Sequence, residues 1–85
     1  MKSLDDLRKE INQIDQAFLE LFIKRINVSK EIGAYKKANK IPVFDQKREQ
    51  DNLNQQRIIL NDDRLWALYQ PLYQHLMDIS KEVQK

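Results

Sequence analysis

Apolar residues fall at Leu4, Leu7, Ile11, Ile14, Phe18 and Leu21, and again at Val28, Ile32 and Tyr35, in steps of three and four. That spacing keeps one apolar side chain per turn on a single face, and it predicts one unbroken helix from Leu4 to about Ala38. One position on this seam breaks the rule. The slot after Leu21 holds Arg25, a permanent cation where an aliphatic side chain belongs. Burying an unpaired guanidinium is costly, so Arg25 requires an anion, supplied by the protein or by a ligand.

The pattern then breaks and restarts twice. Ser3 is placed as an N-cap for the first helix, with Asp6 answering it in a near capping box. Asn39, Lys40, Ile41 and Pro42 end that helix, because proline disfavours helical geometry in the residue before it. Val43 and Phe44 are expected to anchor the following loop on the core. Asp45 reads as the N-cap of a second helix reaching about Leu60, with Leu53, Ile59 and Leu60 as its apolar contacts. Its many amides make it a cover for the core and not its centre. Asn61, Asp62 and Asp63 cap a third helix, over 62–84, carrying Leu65, Leu68, Leu72, Leu76, Ile79 and Val83. Pro71 lies within it and predicts a kink or a later true start.

The expectation is therefore a single all-α domain, 1–85, of three helices, with short connections favouring antiparallel neighbours. Gly33 stands inside the first helix at a cost of about 1 kcal/mol against alanine. Either it is a tolerated defect or another backbone passes close by.

Length constrains the assembly. A 35-residue helix extends roughly 50 Å, whereas a compact chain of 85 residues is only about 30 Å across. Its own chain cannot cover such a rod. A second copy is the simplest cover, which predicts an intertwined homodimer.

Composition narrows the functional classes. The chain has no cysteine, so disulfide and thiolate chemistry are excluded. A net charge of +2, with bases and acids interleaved, gives no footprint for nucleic acid. No apolar run approaches membrane-spanning length and the start lacks a long apolar leader, so a cytoplasmic location is expected. No metal-ligand cluster, phosphate-binding loop or covalent nucleophile is present, and no cofactor is implied.

The candidate chemistry lies in a set of cations and polar groups. Arg25 and Lys36 are eleven residues apart, roughly 16 Å along one helical face, a span that a small dianion can bridge between two long side chains. Arg8 is about 25 Å before Arg25, beyond reach within one chain but accessible from an antiparallel partner. Asp45, Arg48 and Glu49 share the first turn of the second helix. Ser80 and Gln84 lie four apart on the third, beside Leu76 and Val83. Each of these alone is also compatible with an ordinary solvated helix edge. His75 reads as structural or surface, and Trp66, Tyr69 and Tyr73 as core and dimer packing.

In order and spacing, these residues resemble the all-helical (type II) class of chorismate mutases. The similarity runs through Leu7-Arg8, Ile11, Ile14-Asp15, Lys24-Arg25, Glu31-Ile32-Gly33 and Lys36. Its most specific stretch is Pro42-Val43-x-Asp45-x-x-Arg48-Glu49, followed by Ser80 and Gln84. The resemblance implies an intertwined helical homodimer that rearranges chorismate to prephenate in the biosynthesis of phenylalanine and tyrosine. Arg25 and the partner subunit's Arg8 would hold the two carboxylates. Lys36 would contact a carboxylate and the ether oxygen, Gln84 would donate to the same oxygen, and Ser80 would assist at a carboxylate. Asp45 and Glu49 would surround the ring hydroxyl, with Arg48 ordering that corner. Gln84 is next to the last residue, where helices fray, so its order is expected to depend on ligand.

Three other functions stay open on the sequence. A lyase on the same scaffold, removing pyruvate from isochorismate, would use a similar cationic cradle. A non-catalytic dimeric helical module explains the heptads but not Arg25. A regulatory sensor of the same metabolite would bind without turnover.

Overall fold

The computed structural model describes Met1–Lys85 as three helices and no strand: α1 (Leu4–Ala38), α2 (Gln46–Leu60) and α3 (Asp63–Gln84). The caps explain the boundaries. The Ser3 hydroxyl accepts from the Asp6 N–H, and the Asp6 carboxylate answers at the Ser3 N–H, closing a full capping box. Asp45 caps α2 by accepting from the Arg48 N–H at 3.0 Å, and Asp62 caps α3 through the Leu65 N–H.

At the far end of α1, Ile41 N–H reaches back to the Lys36 carbonyl and Lys40 N–H to that of Lys37. This is a Schellman stop with Lys40 in the left-handed region at φ 55°, a position usually taken by glycine. Asn61 ends α2 in the same region, where its short polar side chain is tolerated.

Pro71 does not delay α3. The helix runs unbroken from Asp63 through the proline, so of the two expectations, a kink or a later start, the later start does not hold. Both Pro71 and Ala67, whose carbonyl loses its partner, are exposed, so water can satisfy that carbonyl.

The helix directions also differ in part from expectation. Ser29 meets Ser80 and Gly33 meets Gln84, a constant offset, so α3 runs parallel to α1 and packs along its second half. Helix α2 lies antiparallel against α3, with Gln56 near Tyr69 and Glu49 near Lys81. Consecutive helices α1 and α2 do not pack on each other, and α3 bridges them. The seven-residue loop lets α2 swing away from α1, and a cavity lies between the two.

The core is thin. Trp66, Tyr73 and Met77 are its buried apolar side chains, all on one face of α3, with Ser29 and Gly33 buried opposite on α1. Tyr69 is half-buried and stacks on Tyr73 at 5.9 Å. Gly33 is explained by close approach: a Cβ there would lie 2.6 Å from the Gln84 carbonyl oxygen and 2.7 Å from its Cα.

Some expected core positions remain uncovered by the chain itself. Ile59 is exposed beside Ile58, and Phe44 is exposed where Val43 is half-buried. Along the first half of α1, Leu4, Leu7, Ile11, Ile14, Phe18 and Leu21 are 46–64% exposed. Leu65, Leu68 and Leu72 form a second bare stripe on α3. The chain is elongated, 56 Å in its longest dimension, with a radius of gyration of 16.4 Å, well above the ~12 Å of a compact chain this size. No helix is long and apolar enough to cross a membrane.

Candidate active site

The gap between α1 and α2 forms a cavity of about 400 Å³. Helix α1 contributes Arg25, Ser29 and Lys36 from successive turns of one face, with Val28 and Ile32 between them. The loop and first turns of α2 supply Val43, Asp45, Arg48, Glu49 and Asn52. The floor is the last two turns of α3, through Met77, Ser80, Lys81 and Gln84.

Seven of the eight residues singled out in the sequence therefore line one cavity: Arg25, Lys36, Asp45, Arg48, Glu49, Ser80 and Gln84. Arg8 does not. It lies exposed near the start of α1, away from the cavity.

The cations around the cavity are unevenly satisfied. Arg25 is half-buried and has no ion pair or hydrogen bond within the chain, so no carboxylate of this chain answers the demand set by its place on the seam. Lys36 is half-buried and donates to the Val43 carbonyl at 2.9 Å, which ties the loop to α1 and leaves its charge unneutralised. Arg48 engages Asp45 only through its backbone N–H. Three guanidinium or ammonium groups thus face one cavity without a carboxylate partner, which is the electrostatics of an anion site.

The fourth cation is paired. Lys81 reaches Glu49 at 2.8 Å and Asp78 at 3.2 Å, and sits 4.9 Å over the Phe44 ring. Its hydrogen bond to Glu49, above all, holds the ammonium above its ordinary value, with Asp78 adding to the effect. Asp78 is held below the usual carboxylate range, first by its hydrogen bond from Gln74 and then by Lys81.

A hydroxyl–amide chain runs along the floor. The Ser29 and Ser80 oxygens are 2.6 Å apart, and Gln84 Nε2 donates to Ser80 at 3.2 Å. Gln84 Oε1 is buried with no partner. A half-turn of the carboxamide lets the Ser80 hydroxyl donate to that oxygen and puts an N–H donor where the orphan oxygen now lies.

Comparison with known proteins decides the family. The sequence pattern of chorismate mutase type II matches residues 7–85. The chain belongs to the type II chorismate mutase family.

Two relatives of differing scope accompany this match. The T-protein of Haemophilus influenzae is 33% identical over 58 residues, which are 68% of this chain but 15% of the T-protein's length. A conserved hypothetical protein from Pyrococcus furiosus superposes with a TM-score of 0.79 at 30% identity, covering all of this chain and 99% of that one.

Within this chorismate mutase scaffold, sequence reasoning missed Ser29, Asn52 and Lys81. Asn52 lies three residues after Glu49 and so on the same face of α2, a signal open to reading. Ser29 had one as well, since it precedes Gly33 by one turn and the two small residues form the track against which α3 packs. Lys81 carried none. Its partner Glu49 is 32 positions away, and only the antiparallel packing of α2 on α3 joins them.

Proposed function

We propose that the chain is a chorismate mutase, converting chorismate to prephenate by an intramolecular Claisen-type rearrangement, in the service of aromatic amino acid synthesis. The carrying observation is Arg25, a half-buried cation without an anion, in a cavity shared with the likewise unneutralised Lys36 and Arg48. Family membership supports the same reading.

The reaction breaks one ether C–O bond as a C–C bond forms, and electrons shift within the substrate alone. No proton, hydride or group enters or leaves. What a protein can add is confinement of the compact, reactive conformer and donors aimed at the oxygen where negative charge grows.

In this reading Arg25 grips one carboxylate through its fork of donors, and the partner subunit's Arg8 grips the other. Lys36 and the Gln84 carboxamide, turned as described above, donate to the ether oxygen. Ser80 accepts from Ser29 and donates to Gln84 Oε1, holding the turned carboxamide in place, a role that replaces the carboxylate contact implied by the resemblance. Asp45 and Glu49 receive the ring hydroxyl, and Arg48 lines that corner.

A homodimer is part of the proposal. Its support is the bare apolar stripe from Leu4 to Leu21 and the second one along Leu65, Leu68 and Leu72, too much exposed aliphatic surface for a stable monomer. Two rods paired head to tail would bury these stripes and bring Arg8 to the other chain's cavity.

The test is incubation of the purified chain with chorismate and, separately, isochorismate. Saturable conversion of chorismate to prephenate is expected. Release of pyruvate from isochorismate as the principal activity, or binding of chorismate without turnover, would overturn the assignment.

A further inference from the structure

Lys81 is a cavity residue with no role in the chemistry described so far. Of the six ion pairs in the chain, Lys81–Glu49 alone has both side chains less than a third exposed, at 27% and 20%. It is also the contact that joins the α2 wall of the cavity to its α3 floor. An exposed pair of this kind contributes little, but one at the edge of a cavity is less screened by water.

The charges around the cavity sharpen its importance. Four cations (Arg25, Lys36, Arg48 and Lys81) stand against two carboxylates, Asp45 and Glu49. A dianionic substrate that offers its ring hydroxyl to Glu49 must approach a like charge. Removing Lys81 would halve the excess of positive charge and leave Glu49 uncompensated. The Lys81 ammonium reaches Glu49 through Oε1, and the other carboxylate oxygen has no partner within the chain. The carboxylate is thus fixed by one oxygen and free to accept through the other. The Lys81 ammonium is itself held in place by Asp78 and the Phe44 ring.

We propose that Lys81 is a positioning residue for substrate recognition: it fixes Glu49 for the ring hydroxyl and screens the dianion from the Glu49 charge. This rests on the reading of the cavity as a chorismate site. It predicts a split between binding and turnover, because the ring hydroxyl itself forms and breaks no bond in the rearrangement. The contribution of Lys81 is made equally to bound substrate and transition state.

The experiment is steady-state kinetics with chorismate on the full chain and three variants. Lys81→Met keeps an unbranched side chain of similar length and removes the charge; KM is expected to rise about tenfold, with kcat changed less than about threefold. Lys81→Arg retains the charge and is expected to keep KM within about threefold of the unmutated chain. The decisive case is the double variant Lys81→Met with Glu49→Gln. Its KM should fall below that of Lys81→Met alone, since the uncompensated carboxylate is what repels the substrate; a merely structural Lys81 gives no such recovery. If Lys81→Met does not fold, Lys81→Gln replaces it in both comparisons. An unchanged KM in the charge-removing variant, or a double variant no better than the single, overturns this proposal alone. Absence of turnover in the unmutated chain overturns the reading of the site, and this proposal with it.

Discussion

The backbone of Gln84 presses on Gly33 so closely that a single added methyl at Gly33 would meet its carbonyl oxygen at 2.6 Å. Because the obstacle is backbone and not the end of a flexible side chain, the last turn of α3 must move to admit it. Gly33→Ala gains about 1 kcal/mol of helix propensity and loses more to overpacking, for a net destabilisation of about 1–2 kcal/mol. Urea unfolding measures the first effect. Turnover should fall as well, since the displaced turn carries Gln84.

Lys36 is placed to meet the oxygen on which charge develops, and its only partner within the chain is the Val43 carbonyl. Losing one such donor costs roughly 3 kcal/mol or more of barrier. Lys36→Ala is expected to lower kcat more than ~100-fold while the assembled mass in solution is unchanged. Near-normal turnover would remove Lys36 from its assigned role.

Arg25 separates function from stability. A half-buried guanidinium without an anion contributes nothing favourable to the fold, so Arg25→Leu should leave the unfolding midpoint unchanged or raise it. The same change removes a bidentate carboxylate grip, and kcat/KM should drop at least ~100-fold. A stabilised variant with unaltered kcat/KM would favour a purely structural helical module.

The pH dependence follows from the groups on α3. Asp78 is held below its ordinary value, so it binds its proton less tightly in the folded chain than in the unfolded one. The stability it adds is present above its ordinary value of 3.8 and is lost as pH falls through the lower folded value. Lys81 is the opposite case. Its ammonium adds stability below its ordinary value of 10.5, lost as pH rises through the higher folded value. Thermal melts should therefore be nearly flat from about pH 5 to 9. Turnover should also be level between about pH 6 and 8, because the Gln84 carboxamide donates without needing a proton. A steep loss of kcat in that range would implicate a titrating group instead.

The long helix and the capped starts at Ser3 and Asp45 were legible in the sequence, as was a third cap among Asn61, Asp62 and Asp63. Gly33 marked a special position without deciding between a tolerated defect and a close approach. Each is a local rule: a period, a cap, or a residue without a side chain. Seven of the cavity residues were legible for a different reason, since their spacing resembles a family pattern that already encodes the packing. The parallel course of α3 along α1 was not legible, because connection length alone does not say which helices pack. Nor was the uninterrupted passage through Pro71, which depends on solvent reaching the Ala67 carbonyl. The Lys81–Glu49 pair stayed hidden for the same reason as the helix packing. Its partners meet only once α2 has folded back on α3.

In the proposed dimer each site is completed by a second chain, and subunit complementation reports on that sharing. Arg8→Ala and Arg25→Ala chains should each be nearly inactive alone. Mixed in equal amounts, unfolded and refolded together, they should recover about a quarter of the unmutated activity, because half of randomly formed dimers then hold one intact site. Activity no greater than the sum of the two separate variants would contradict a shared site.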